Sequence, residues 1–112
     1  MKRTFIETDW FTEEVYDYLT EEEFREFQRE LLANPRRGVV VAGSGGLRKI
    51  RFSHQTRGKG KRGGVRIYYL DIPKAERVYL IDIHDKNEKE DLTQSDRKVL
   101  KKVVNEIKKT LL

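Results

Sequence analysis

Apolar positions recur along this chain with two periods, and each switch of period marks a new element. Residues 2–8 read as a short strand around Phe5 and Ile6. A brief helix is expected next, with Thr12 as its cap and Val15, Tyr16 and Leu19 facing inward. Thr20-Glu21-Glu22-Glu23 is a capping box, in which a threonine hydroxyl and a glutamate three residues on satisfy each other's free backbone N–H groups. The helix it opens should run to about Ala33, with Phe24, Phe27 and Leu31 as its apolar stripe and Leu32 beside it. Asn34-Pro35 ends it, because the residue before a proline is driven out of the helical region.

Period two then takes over. Val39 to Val41 is a short strand, Gly43 to Gly46 turns, and Leu47 to Ser53 is a strand with Leu47, Lys49 and Arg51 on one side and Arg48, Ile50 and Phe52 on the other. His54 to Gly64 reads as a glycine-rich basic loop. Val65 to Ile72 is the strongest strand signal, followed by a turn at Pro73 to Glu76 and a return strand from Arg77 to Ile83. That return strand is apolar on both sides and should be central. A polar connection over Asp85 to Asp91 leads to a second cap at Thr93 and Asp96. A closing helix to about Leu111 then carries Val99, Leu100, Val103, Val104, Ile107 and Leu111. Together these elements predict one α+β domain spanning residues 1–112, with N-terminal helices, a three- to four-stranded antiparallel sheet and a C-terminal helix.

Charge changes this picture from a generic fold to a candidate binder. The net charge of +5 divides unevenly: Leu31 to Leu70 holds ten Lys or Arg and no acid, whereas residues 1–30 hold ten acids and four bases. Residues 71–112 are nearly balanced, with ten bases and nine acids. A cationic field of that purity implies a polyanion partner, most simply a nucleic acid. There is no cysteine, which removes disulfides and thiolate chemistry. No apolar run approaches the roughly twenty residues of a membrane helix, and the N-terminus leads into acids, so a cytoplasmic protein without a membrane partner is expected.

Gly43-Ser44-Gly45-Gly46 lacks the Gly-Lys-Ser/Thr ending of a phosphate loop and precedes a strand, so it reads as turn geometry. No cofactor is expected. In Gly58-Lys59-Gly60-Lys61-Arg62-Gly63-Gly64, by contrast, glycines would let the backbone approach a phosphate chain closely while cations grip it. Arg48, Lys49 and Arg51 would converge with Arg66 if their two strands pair, although the register that decides whether Arg66 shares their face is open. Tyr68, Tyr69 and Tyr79 could stack on bases or pack in the core.

Such a field can bind RNA or cut it. Self-cleavage needs in-line placement of the 2′-hydroxyl, charge neutralisation on the phosphorane, and a proton acceptor and donor. Arginine supplies the electrostatics, and His54 and His84 titrate nearest neutrality. A lysine in a purely positive surrounding would also shift towards neutrality. A magnesium site is less favoured. Asp82, Asp85, Glu88, Glu90 and Asp91 cluster in sequence, but the basic segment offers no carboxylate.

Gly45 to Arg51, Gly58 to Tyr69 and Val78 to Leu92, in that order and spacing, resemble the HigB/RelE toxin superfamily of type II toxin–antitoxin systems, and most closely its HigB2-like branch. The resemblance covers roughly residues 5–110 and implies a RelE-like fold. It also implies a metal-independent, ribosome-dependent mRNA endoribonuclease that inhibits translation. A cognate antitoxin would neutralise it, and operator DNA would be bound only by the toxin–antitoxin complex. By the same resemblance Lys49 and Arg51 match cations near the scissile phosphate, Arg66 matches a transition-state stabiliser, and Lys86 and Lys89 match basic residues after the last strand. Arg57, Lys59, Lys61 and Arg62 would contact RNA, with Arg48 and Tyr68 beside them. Thr93 stands near a position where some members carry a catalytic tyrosine, which leaves proton transfer to His84 or a lysine of lowered pKa, or leaves the chemistry mainly electrostatic. A nucleic-acid-binding module without chemistry and a ParE-like gyrase inhibitor are the alternatives.

Overall fold

The computed structural model describes residues 2–53, 64–86 and 88–111. In chain order the elements are strand β1 (Thr4–Glu7), helices α1 (Asp9–Tyr18) and α2 (Glu21–Ala33), and strands β2 (Val39–Val40), β3 (Arg48–Phe52) and β4 (Val65–Ile72). A 3-10 turn over Pro73–Ala75 leads to strand β5 (Arg77–Asp85) and helix α3 (Gln94–Thr110). The strands form one five-stranded sheet in the order β1-β5-β4-β3-β2. Strands β2 to β5 are antiparallel as expected, but β1 adds parallel to β5, with Phe5 opposite Val78. The sheet is therefore mixed and longer than the expected three to four strands. The parallel pairing is reached because helices and strands intervene between β1 and β5, and such a pairing needs a long crossover.

Each face of the sheet carries its own core. Phe11, Val15 and Leu19 with Phe24, Phe27 and Leu31 of α2 pack on Ile50, Phe52, Val65, Ile67, Tyr69, Val78, Leu80 and Ile83. On the other face Leu92, Leu100 and Val104 pack on Leu47, Tyr68, Leu70, Tyr79 and Ile81. Strand β5, between β1 and β4, is central as its composition predicts. Two residues assigned inward by periodicity lie outside: Tyr16 is 56% exposed and Val99 57%. Tyr16 keeps an edge-on contact with Phe24, at 6.0 Å between ring centres.

Both capping boxes form, at Thr20 with Glu23 and at Thr93 with Asp96. Helix α1 starts one turn earlier than expected, with Thr8 and not Thr12 as its cap. The reason is tertiary. The Thr8 N–H donates to the Leu80 carbonyl at 3.1 Å, which continues the β1–β5 ladder up to the cap. Its hydroxyl accepts from the Phe11 N–H at 3.2 Å and donates to the Ile81 carbonyl at 2.9 Å. The Thr12 hydroxyl instead donates to the half-buried Glu7 carboxylate, at 2.7 Å, in a solvent-exposed bond.

Ile81 is also where β5 carries one extra residue. Tyr68 pairs with Asp82, but the next residue, Tyr69, pairs with Leu80. Such a bulge reverses the side-chain alternation beyond it. Val78 and Leu80 therefore share the α1–α2 core with Ile83, while Tyr79 and Ile81 join the α3 core.

The segment before β2 is tied down by Tyr69, whose hydroxyl donates to the Pro35 carbonyl and accepts from the Gly38 N–H, each at 2.8 Å. A Cβ at Gly38 would lie 2.8 Å from that hydroxyl and 2.9 Å from the Lys49 carbonyl, so this close approach requires glycine.

Thr8→Ala removes a cap and a bond to the bulge carbonyl together, and is expected to cost about 1–2 kcal/mol. Thr12→Ala should stay within about 0.5 kcal/mol of the parent. Urea denaturation of the two variants reads the difference.

Candidate nucleic-acid interface

Pairing of β3 with β4 resolves the register left open by the sequence. Lys49 lies opposite Tyr68 and Arg51 opposite Arg66. On the other side of β4, Arg66 lies opposite His84 and Tyr68 opposite Asp82. Cross-strand partners point to the same face. Lys49, Arg51, Arg66, Tyr68, Asp82 and His84 thus share one side of the sheet, the side that carries α3. Arg48 points the other way. Its guanidinium donates to the carbonyls of Gly38 at 2.7 Å and Arg36 at 3.3 Å, so it braces the segment before β2 and does not join the cationic row.

The row is graded in depth. Arg51 is exposed, the Lys49 side chain is 26% exposed and the Arg66 side chain 1%. Lys86 and Lys89 follow β5 and are half-buried. His54, Arg57, Lys59, Lys61 and Arg62 lie outside the described residues.

Two further assignments change. Tyr68 has no exposed ring surface for a base to stack on, because it is fully buried in the α3-side core. Its ring stacks instead on the His84 imidazole, at 5.4 Å between centres and 28° between planes. His84 is 4% exposed, and both ring nitrogens are engaged. Nε2 lies 3.0 Å from the Tyr68 hydroxyl and Nδ1 3.2 Å from the Asp85 carbonyl. As placed, it cannot meet a substrate directly. Burial pushes its pKa down, against the Asp85 carbonyl, which favours the charged ring.

The surrounding of the row is not purely positive. The segment after β5 folds back over it. Asp91 Oδ2 lies 3.3 Å from Lys49 Nζ, Glu90 Oε2 lies 3.4 Å from Arg66 Nη2, and Asp96 Oδ2 lies 2.9 Å from Lys89 Nζ. Asp91 also accepts from the Leu92 N–H at 2.8 Å and, through Oδ1, from the Tyr68 hydroxyl at 3.4 Å. Burial alone would raise the Asp91 carboxyl, but the Leu92 N–H and the Lys49 ammonium together hold it below the usual range. The Lys89 ammonium holds Asp96 down to about 2. Glu88 is held below its usual value by the Asp85 N–H first and by the Tyr18 hydroxyl second, which fastens this segment to α1. Sequence reasoning named Glu90 and Asp91 but did not set them over the cations, because Glu90 lies 24 residues beyond Arg66 and Asp91 lies 42 beyond Lys49. Their clustering was visible; the fold-back was not.

Asp82 stands apart from these pairs. It lines a cleft of about 230 Å³ with Trp10, Asp96, Val99 and Leu100. Burial raises its carboxyl to about 6, against the Ile83 N–H and the Lys89 charge. Among the described residues no group of three His, Cys, Asp or Glu is arranged to hold a metal ion. None of the helices, over the same residues, is long and apolar enough to cross a membrane.

No family model matches the chain. Among solved structures its fold is similar to that of the Escherichia coli toxin RelE, in a double arginine-to-alanine mutant in the free state. The TM-score is 0.55 at 18% identity, covering 80% of this chain and 90% of that one. The architecture is thus RelE-like, with helices before a mixed sheet and a helix after it.

Asp82 gives a stability prediction with a definite sign. Its folded pKa lies above its unfolded value, so its favourable contribution is complete below about pH 4 and is lost as pH rises through about 6. Asp82→Asn should match the parent at pH 4 and exceed it by about 1–3 kcal/mol at pH 8. Urea midpoints at the two pH values measure this, and equal differences at both would refute it.

Proposed function

We propose that this protein is a ribosome-dependent mRNA endoribonuclease, the toxin of a type II toxin–antitoxin pair in the HigB2-like branch, acting as a single cytoplasmic domain. The observation that carries this reading is the in-register row of Lys49, Arg51 and Arg66 on one face of a RelE-like sheet. Two arginines directly opposite each other repel, and an RNA phosphate between them turns that repulsion into a two-sided clamp. Strand backbones hold these groups with the precision that in-line attack requires.

In this reading the 2′-hydroxyl attacks the adjacent phosphate and the 5′-oxygen leaves. Arg51 and Lys49, at the surface, meet the phosphate first. Arg66 lies under Glu90 and engages when the phosphate oxygens take the place of that carboxylate. Lys86 and Lys89, which follow β5, meet the flanking backbone in this reading, and Arg57, Lys59, Lys61 and Arg62, outside the described residues, are assigned RNA contact from the sequence. Electrostatic stabilisation and positioning supply most of the rate. A cognate antitoxin would mask this face. Operator DNA would be bound by the complex and not by this chain alone.

The burial of Arg66 guides the choice of variants. Removing it risks the fold, whereas Lys49 and Arg51 can be removed from the surface. Purified protein with programmed ribosomes should cut mRNA at mapped positions. The Lys49→Ala, Arg51→Ala double variant should cut about a hundredfold or more slowly while keeping the parent's stability. Uncut mRNA with the parent protein sinks the proposal. Salt-sensitive RNA binding without products would then select a binding module, and blocked gyrase supercoiling a ParE-like toxin.

A further inference from the structure

His84 poses a problem that the nuclease reading leaves open: its imidazole lies opposite Arg66 on the face of the cationic row, yet it is buried and both nitrogens are engaged. Its hydrogen bonds identify a way out. The Asp85 main-chain carbonyl can only accept, so Nδ1 carries a proton and Nε2 of the neutral ring is an acceptor. The Tyr68 hydroxyl lies between that nitrogen, at 3.0 Å, and Asp91 Oδ1, at 3.4 Å. A carboxylate also only accepts. In the neutral state one hydroxyl proton therefore faces two acceptors. With His84 protonated, every partner is satisfied: Nε2–H donates to the Tyr68 oxygen, and the Tyr68 hydroxyl donates to Asp91.

We propose that Tyr68 is a positioning residue that links the buried His84 to the Asp91 carboxylate, making Asp91 the surface end of a three-residue proton relay beside Lys49. This rests on the nuclease reading for its substrate but not for its hydrogen-bond chain. The Asp91 side chain is 44% exposed, and its second oxygen is 3.3 Å from Lys49 Nζ, so it stands where a phosphate-bound ribose would lie. The relay balances without an outside reagent. Asp91 takes the 2′-hydroxyl proton as the oxygen attacks phosphorus. Asp91 then passes a proton to the Tyr68 oxygen while Tyr68 gives its own to His84 Nε2. The carboxylate is restored and the imidazole becomes imidazolium. The reverse sequence returns the proton to the leaving 5′-oxygen. Tyr68 is never ionised; burial first, and then the Asp91 charge, hold its phenol above its ordinary value.

The groups facing His84 are Arg66 and Tyr68 on β4, Asp82 and Asp85 on β5, and Glu88, Lys89 and Asp91 on the segment that follows. Arg66 and Lys89 oppose its charge and Glu88 favours it, and none of these is altered by removing the Tyr68 hydroxyl.

The test is nitrogen-15 NMR of the two histidines in the full chain, with His54→Gln used for assignment. The parent protein should hold neutral His84 as the Nδ1–H tautomer. In Tyr68→Phe the ring packing stays and the Asp85 carbonyl still holds the Nδ1–H tautomer, but His84 should titrate at least about 0.5 pH unit lower. Asp91→Asn, at the surface, should lower the His84 titration in the same direction and serves if Tyr68→Phe does not fold. In the ribosome assay Tyr68→Phe should cut about tenfold or more slowly, with its pH–rate profile shifted along with His84. An Nε2–H tautomer in the parent overturns the relay, as does an unchanged His84 titration in both variants. Cleavage by Tyr68→Phe with the parent's rate and pH profile also overturns it and leaves the nuclease reading intact. A parent protein that cuts nothing removes the nuclease reading, and the NMR result still decides the hydrogen-bond chain.

Discussion

One extra residue in β5 decides which chemistry this sheet can present. Strict alternation from Val78 and Leu80 would send residue 84 towards α1 and α2, into a core lined by Phe11, Phe27 and Leu31. The bulge at Ile81 gives that inner position to Ile83 and turns His84 to the side of Tyr68 and Arg66. Bulges leave a backbone group out of the regular ladder, and here the Ile81 carbonyl is satisfied by the Thr8 hydroxyl. One side chain, Thr8, therefore serves both the cap of the first helix and the bulge that turns the histidine. That explains why β1 must add parallel at this edge: only then does Thr8 follow directly on the ladder beside Leu80.

The electrostatics of the face follow from what covers it. Arg51 and Arg66 are directly opposite, a pairing that costs energy unless an anion intervenes. In the free protein Glu90 takes part of that role for Arg66, and Asp91 does so for Lys49. The two carboxylates are not equivalent. Glu90 is 70% exposed and is held, among the described residues, by Arg66. Glu90 is open to solvent while Arg66 is buried, so loss of this carboxylate is tolerated where another anion takes its place, as a phosphate does in the proposed function. Asp91 is fixed at three points, by Leu92, Lys49 and Tyr68. An incoming RNA would thus displace one acid and leave the other in place.

Much of the fold was legible in the sequence because its signals are local. The Thr20–Glu23 and Thr93–Asp96 boxes, the Phe24-Phe27-Leu31 stripe and the alternation of Val65 to Ile72 each depend on neighbours within four residues or on period two. What local pattern missed was non-local. Thr8 and Thr12 are both acceptable caps in isolation, and a carbonyl on β5 chooses between them. Tyr68 offers the same ring whether it stacks on a base or on His84, and burial under α3 and Leu92 chooses. The Lys49–Arg51 face was readable from spacing. The membership of Arg66 awaited the register, and that of His84 awaited a bulge that no alternation count reveals. The acid-free stretch was real in sequence but not in space, since Glu90 and Asp91 return to it from outside.

That return separates two tasks by depth. In the proposed function charge is met at the surface, where a phosphate would arrive hydrated and be stripped of water as it docks. Arg51 and Lys49 stand at that level. Protons are better kept below it, where a histidine shielded from solvent exchanges with a chosen partner and not with bulk water. Tyr68 and His84 lie at the lower level, the tyrosine in the core of Ile81 and Leu92 and the histidine stacked on its ring. Asp91 is the described residue that touches both levels, bonded to Lys49 above and to Tyr68 below. A carboxylate suits that position because its two oxygens can face different partners at once.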